Sequence, residues 1–287
     1  MVPVLSMVVF GVSCSKESAP PTGPPAPAGA NKSWHLVFSE DFDGTDYDHT
    51  KLTPCFDWNE GECTSSFNSG RETYKPEQVR VSGGTAKLVA EPLSPPQPDD
   101  ACLDMMCTYK AGMLSTARPD VNREYPFPFT YGFVESRLRF PPVPGFFTAF
   151  WMVPTDPTYE YRTELDIVEI LGGQPNTAYM SYHYDNRNKS YKVNSGPGNN
   201  GACPVQDYSN EWVTFGVDWQ PDHIAWYIND TKCGEFTDRA QIENGPMQII
   251  LMTSIDNQWE RDAASVLTDQ QLVMLLEVDF VRVYQAL

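Results

Sequence analysis

The sequence predicts an all-β domain, a sandwich of antiparallel sheets, on three observations. Apolar residues recur with period two, glycine and proline punctuate the runs, and no stretch repeats with helical spacing. Along the chain, β-rich runs fall first at 35–39, 78–82 and 86–91. Residues 131–140 then set Val134, Ser136, Leu138 and Phe140 against Glu135, Arg137 and Arg139, an inward face and a charged one. The breaker Pro141-Pro142-Val143-Pro144-Gly145 separates this run from the next, at 146–153. Another run lies at 177–184. At 212–219, Val213, Phe215, Val217 and Trp219 share one face, and runs at 223–229, 247–253 and 276–284 complete the set. A helix is predicted only at 262–275. No internal repeat is present.

The chain has 287 residues, of which the first thirty or so are not domain, leaving one large domain. At 41% hydrophobic and 13% aromatic it buries a sizeable core, which rules out a wholly disordered protein. Lys and Arg number 20 against 38 Asp and Glu, a net charge of -18. No basic patch rises easily out of that field, so nucleic acid is not an expected partner.

Residues 1–13 read as a signal peptide, 14–33 as a proline-rich tether and 34–287 as the domain. The apolar start ends in Phe10-Gly11-Val12-Ser13-Cys14 and resembles a bacterial lipoprotein signal, in which Cys14 is the lipidated residue. Gly11 stands where an aliphatic residue is usual, and no Lys or Arg precedes the run. The run is too short to span a bilayer. Residues 18–30 hold five prolines and no charge, the composition of a stiff spacer that would hold a domain off a surface. Beyond Cys14 remain six cysteines: Cys55, Cys63, Cys102, Cys107, Cys203 and Cys233. Short gaps suit Cys55 with Cys63 and Cys102 with Cys107, leaving Cys203 for Cys233, although other pairings are open. None has zinc-ligand spacing. An oxidised, exported monomer is expected, outside the cell, at its surface or in the periplasm.

The chemistry concentrates in Thr163-Glu164-Leu165-Asp166-Ile167-Val168-Glu169. In a strand, Glu164 and Asp166 share a face while Leu165 and Ile167 face the core. Glu169 lies five places after Glu164 and falls on the wrong face by parity. A β-bulge at Ile167-Val168 would return it. The two Cα atoms would then stand about 13 Å apart. Leaning side chains could bring the carboxyls to about 5 Å, the separation in a retaining glycosidase. Repulsion among three carboxylates should raise at least one pKa and supply an acid beside a base. By itself the pattern favours a solvated acidic strand or a calcium site.

The flanks decide between these readings. Gly145-Phe146-Phe147-Thr148-Ala149-Phe150-Trp151 precedes the motif and Tyr182-His183-Tyr184 follows it. Further on come Trp212-Val213-Thr214-Phe215-Gly216-Val217-Asp218-Trp219, Ile224-Ala225-Trp226-Tyr227-Ile228 and Val278-Asp279-Phe280-Val281-Arg282-Val283-Tyr284. With the opening Leu36-Val37-Phe38-Ser39-Glu40-Asp41-Phe42-Asp43-Gly44, they resemble in order and spacing glycoside hydrolase family 16. The resemblance implies a concanavalin-like jelly-roll β-sandwich with a saccharide cleft on its concave face. It implies that Glu164 is the nucleophile, Glu169 the general acid/base, and Asp166 a hydrogen-bond partner that helps set the protonation of Glu164. No cofactor is implied for catalysis. The bulged spacing is that of laminarinase-like members and points to a polysaccharide substrate, a β-1,3-glucan.

The same resemblance makes Trp151, His183, Tyr74 and Trp259 candidates for substrate binding, with His183 contacting sugar or orienting Glu169. Trp212, Trp219 and Trp226 recur at strand spacing and are expected in the core. Relatives often hold one structural calcium on the convex side, for which Asp279 is a candidate ligand. Thr163 replaces a usual glycine, Phe147-Thr148 a usual Trp-Pro, and residues 69–74 lack a common Asn-Glu pair. Those differences leave open a galactan substrate, as for agarases and carrageenases, or glycosyl transfer. A non-catalytic carbohydrate-binding protein on the same fold is the rival reading, disfavoured by three intact carboxylates.

Overall fold

The computed structural model describes residues 33–59, 63–66, 69–156, 158 and 162–287. The signal, the lipidation of Cys14 and nearly all of the tether lie outside the described residues. Within them the chain is nearly all β and forms two sheets.

The larger sheet runs β15 (Thr231–Phe236), β14 (His223–Ile228), β13 (Val213–Gln220), β8 (Gly132–Arg139), β17 (Met274–Ala286), β5 (Thr85–Pro98), β6 (Met106–Ala111), β3 (Glu72–Tyr74) and β2 (Ser65–Ser66). Beside this path, β1 (Trp34–Glu40) pairs with β17, and β4 (Val79–Ser82) with β5. The smaller sheet, in order, is β12 (Lys189–Lys192), β11 (Tyr179–Tyr184), β10 (Glu164–Leu171), β9 (Phe146–Pro154), β16 (Met247–Ile255) and β7 (Met113–Ser115). Neighbours pair antiparallel, apart from the parallel pair β3 and β6.

Period-two alternation places the core as expected. Val213, Phe215, Val217 and Trp219 of β13 are all buried, as are Val134, Ser136 and Leu138 of β8. All but Ser136 meet Phe150 and Met152 of β9 and Leu165 and Ile170 of β10 in one apolar cluster between the sheets. Burying each such side chain contributes about 1.5–3 kcal/mol. Disulfides join Cys55 to Cys63, Cys102 to Cys107 and Cys203 to Cys233.

Two expectations fail. The helix is not at 262–275 but at α1 (Gln258–Asp262), capped by Asn257, whose side chain accepts from Glu260 N. It stops because Ala264 turns left-handed (φ 53°) and the next amides bond elsewhere: Leu267 N donates to Asp256 Oδ1 at 2.7 Å. Trp219 and Trp226 are fully buried, but Trp212 lies on the outer face beneath the guanidinium groups of Arg137 and Arg139. Arginine stacking there replaces the apolar packing expected of a core ring.

Candidate active site

Strand β10 lies between β9 and β11, and its register decides which side chains share a face. Against β9, Leu165 pairs with Met152 and Asp166 with Trp151, but the next pair is Val168 with Phe150. Ile167 is the extra residue. Against β11, Glu164, Asp166 and Glu169 face His183, Ser181 and Tyr179, which alternate along a regular strand. All three acids therefore share one face, and the bulge sits where parity requires it. Of the eight residues of β10, only Glu164 and Glu169 are not fully buried. From the opposite sheet, Trp226 Nε1 donates to the carbonyl oxygen of Asp166 at 2.8 Å, satisfying a buried acceptor at the irregularity.

Asp166 is held tightly: Ser181 Oγ donates to its Oδ2 at 2.6 Å, and His183 Nε2 lies 3.2 Å from the same oxygen. His183 Nδ1 contacts Ser190 Oγ at 2.8 Å, which fixes the ring from its other side. Glu164 Oε1 lies 3.9 Å from His183 Nε2, and Glu164 Oε2 pairs with Arg187 Nη2 at 2.8 Å. One ligand-type atom from each of Glu164, Asp166 and His183 falls within 4.8 Å of the others. Asp166 thus acts on Glu164 by charge and through the shared histidine. His183 sits with this pair, and its expected part in orienting Glu169 passes to the other side of the site.

Electrostatics raise both glutamates. Burial, then the Asp166 charge, pushes Glu164 up to about 7, against the pull of Arg187 and His183. Glu169 is pushed well above the usual carboxylate range by burial and by the charges of Asp166 and Glu164, with Lys192 opposing. The hydrogen bond to Asp166 raises His183 above its ordinary value. With both glutamates raised and Asp166 beside them, the pair favours holding a proton, and a carboxylate beside a protonated partner can supply nucleophile and acid together.

Glu169 opens into a groove of about 620 Å³, lined also by Gln174, Tyr179, His183, Lys192 and Trp259. Trp259, on α1, packs edge-on against Tyr179 at 4.6 Å and so stands beside Glu169. Trp151 is 7% exposed and shares the face of Asp166. Beside it, at 6.4 Å, lies Trp58, a ring that sequence reading did not single out. Trp58 stacks on Phe56 at 4.5 Å, and the neighbouring Asp57 is fixed by Arg118 at 2.9 Å. The signal available was an aromatic pair inside the loop that Cys55 and Cys63 close.

Tyr74 is not in the cleft. It is fully buried, its hydroxyl donates to Thr253 O at 2.8 Å, and its ring meets Phe56 edge-on. A ring with its polar end spent inside the core has no face left for sugar. Its neighbour Glu72 is also fully buried and accepts from Ile255 N at 2.8 Å, with burial raising it to about 7. The folded chain therefore binds this proton more tightly than the unfolded one, so stability falls as pH rises from about 4.5 to 7. The loss is about 3 kcal/mol. Thermal melts should show Tm falling between pH 5 and 7.5, and less steeply for Glu72→Gln, which keeps the acceptor for Ile255. Equal slopes for both proteins would mean that Glu72 ionises without cost.

The Asp279 carboxylate accepts from Arg137 Nη1 at 3.0 Å, and Lys87, Arg139 and Arg282 line the same hollow. Asp41, Asp43 and Glu277 line it as well, and Asp41 and Glu277 are likewise paired, with Arg282 and Arg139, so three of its four carboxylates are committed to guanidinium groups rather than offered to calcium, and no step below uses a metal.

The family model described as glycosyl hydrolases family 16 matches residues 107–272. Glucan endo-1,3-beta-glucosidase A1 of Niallia circulans is 23% identical, over 91% of this chain and 39% of its own length. Endo-1,3-1,4-beta-glycanase EglC of Rhizobium meliloti (strain 1021) is 27% identical, over 74% of this chain and 41% of its own. The chain thus spans about two fifths of the length of these two relatives. The structure of the laminarinase from Rhodothermus marinus superimposes with a TM-score of 0.70 at 21% identity, over 90% of this chain and 99% of that one. The likeness is of fold, the jelly-roll sandwich.

Proposed function

The chain belongs to glycosyl hydrolases family 16, and from that premise we propose that it is an exported retaining glycosidase that cleaves internal bonds of a β-1,3-glucan. The observation that carries this reading is the bulge in β10, which sets Glu164 and Glu169 on one face, both with raised proton affinity. Ionised Glu164 attacks the anomeric carbon as the glycosidic C–O bond breaks, and Glu169 gives its proton to the departing oxygen. Glu169, now a base, takes a proton from water, whose oxygen attacks the same carbon and releases Glu164. Asp166 holds its place through Ser181 and His183. Trp151, His183 and Trp259 are the substrate contacts in this reading, aromatic faces being suited to sugar rings.

Two observations support the linkage: the bulged spacing itself, and relatives whose names specify endo-1,3 and endo-1,3-1,4 cleavage. Three disulfides support an oxidising compartment. The test is laminarin digestion followed by proton NMR and by chromatography of the products. Short oligosaccharides whose new reducing ends appear first as the β-anomer are expected. The α-anomer appearing first would overturn double displacement. Cleavage of mixed-linkage glucan or agarose, with laminarin untouched, would overturn the linkage.

A further inference from the structure

We propose that Arg187 is a positioning residue of this site, holding Glu164 as a charged, oriented carboxylate through their ion pair; the inference rests on Glu164 being the nucleophile. Arg187 comes from the turn between β11 and β12, outside the catalytic strand. Three consecutive residues of that turn, Asp185, Asn186 and Arg187, have left-handed backbones (φ 55°, 54° and 62°). Asp and Asn tolerate that region, whereas for arginine it costs on the order of 1–3 kcal/mol. Local bonds hold the turn. Arg187 N donates to Arg162 O at 3.1 Å, Asn188 N donates to Asp185 O at 3.1 Å, and Lys189 pairs with Asp185 at 3.0 Å.

The effect is to fasten the turn to the chain two residues ahead of Glu164. Backbone and side chain of Arg187 then act together, and its guanidinium reaches Glu164 Oε2 at 2.8 Å although the side chain is 48% exposed. An arginine in a strained turn that reaches inward to a carboxylate only 14% exposed is placed for that carboxylate. The pair also selects between two oxygens. Oε2 is taken by Arg187, while Oε1, 3.9 Å from His183 Nε2, is left to attack.

The charges around Glu164 show why such a partner is needed. Burial, then the charge of Asp166 on its own strand, opposes its ionisation. Met152 and Trp151, on the β9 side, carry no charge. From β11 comes His183, whose Nε2 is nearer Asp166 than Glu164. Lys192, on β12, acts on Glu169. The guanidinium found on Glu164 among the described residues is that of Arg187. Remove it, and the carboxylate keeps its proton to higher pH and loses its nucleophilicity there.

Arg187→Gln and Arg187→Lys test this by two readouts. In protein labelled with carbon-13 at the glutamate carboxyls, with Glu164 assigned by Glu164→Gln, the carboxyl signal is titrated directly. The Glu164 midpoint should move up by about one pH unit in Arg187→Gln and by less in Arg187→Lys. On laminarin, kcat/KM of Arg187→Gln should fall about tenfold near pH 5.5, one pH unit being a tenfold change in ionised fraction. The deficit against wild type should shrink toward pH 8.5, with KM little changed. An unmoved titration, or an equal deficit at every pH, overturns the proposal. The titration needs no substrate. A shifted midpoint in a protein that cuts no laminarin would sink the glucan reading and leave the ion-pair role standing.

Discussion

Glu164→Gln is expected to lower kcat on laminarin on the order of 10⁵-fold, the scale on which hydrolases lose activity when a covalent nucleophile is removed. The amide has the size of the acid but cannot form a stable bond to the anomeric carbon. Asp166 cannot replace it, because its Oδ2 is spent on Ser181 and His183 and its side chain is buried. The fold should not suffer. Burial and the Asp166 charge make the ionised Glu164 costly, so removing that charge relieves a penalty above about pH 7. In the ion pair lost with it only the guanidinium is half open to water, and the pair is worth about 1 kcal/mol. An inactive variant with a Tm equal to wild type, or slightly higher at pH 8, is the expected pair of results. Activity above about 1% of wild type would move the nucleophile to another carboxylate.

Much of this site was legible in one dimension because strand parity is a strict rule. Glu164 and Asp166 had to share a face, and Glu169 could join them only through an inserted residue, which is Ile167. The alternation in 131–140 and 212–219 placed the core for the same reason. Partners supplied by other elements were not legible. Ser181 and His183 reach Asp166 through a register that only the assembled sheet fixes. Arg187 reaches Glu164 through a turn whose left-handed residues carry no glycine to announce it. Trp226 was expected in the core and is there, but its bond to the Asp166 carbonyl spans the two sheets. Tyr74 failed because a position matched through a resemblance says nothing of depth, and its side chain is fully buried. The edge strand Lys189–Lys192 has no apolar face to mark it, since its side chains are almost all exposed.

Glu169→Gln should divide substrates by leaving group, which no structural defect would do. Laminarin departs as a sugar alkoxide and needs a proton, so its cleavage should fall about 10²–10⁴-fold. A dinitrophenyl β-laminaribioside departs as a stable phenolate and needs none. Its first step should proceed near the wild-type rate, releasing one dinitrophenolate per active site as a burst. Turnover should then stall, because the same residue must serve as base when water attacks the glycosyl-enzyme. The stalled protein should carry one added disaccharide, found by mass spectrometry on the peptide containing Glu164. The alkaline limb of wild-type kcat/KM belongs to the Glu169 proton, held well above the usual carboxylate range, and should vanish for the aryl substrate. A burst with the adduct on Glu164 would assign both carboxylates in one experiment. Equal losses on both substrates, with no adduct, would mean that Glu169 is not the acid and that the bulge serves the fold alone.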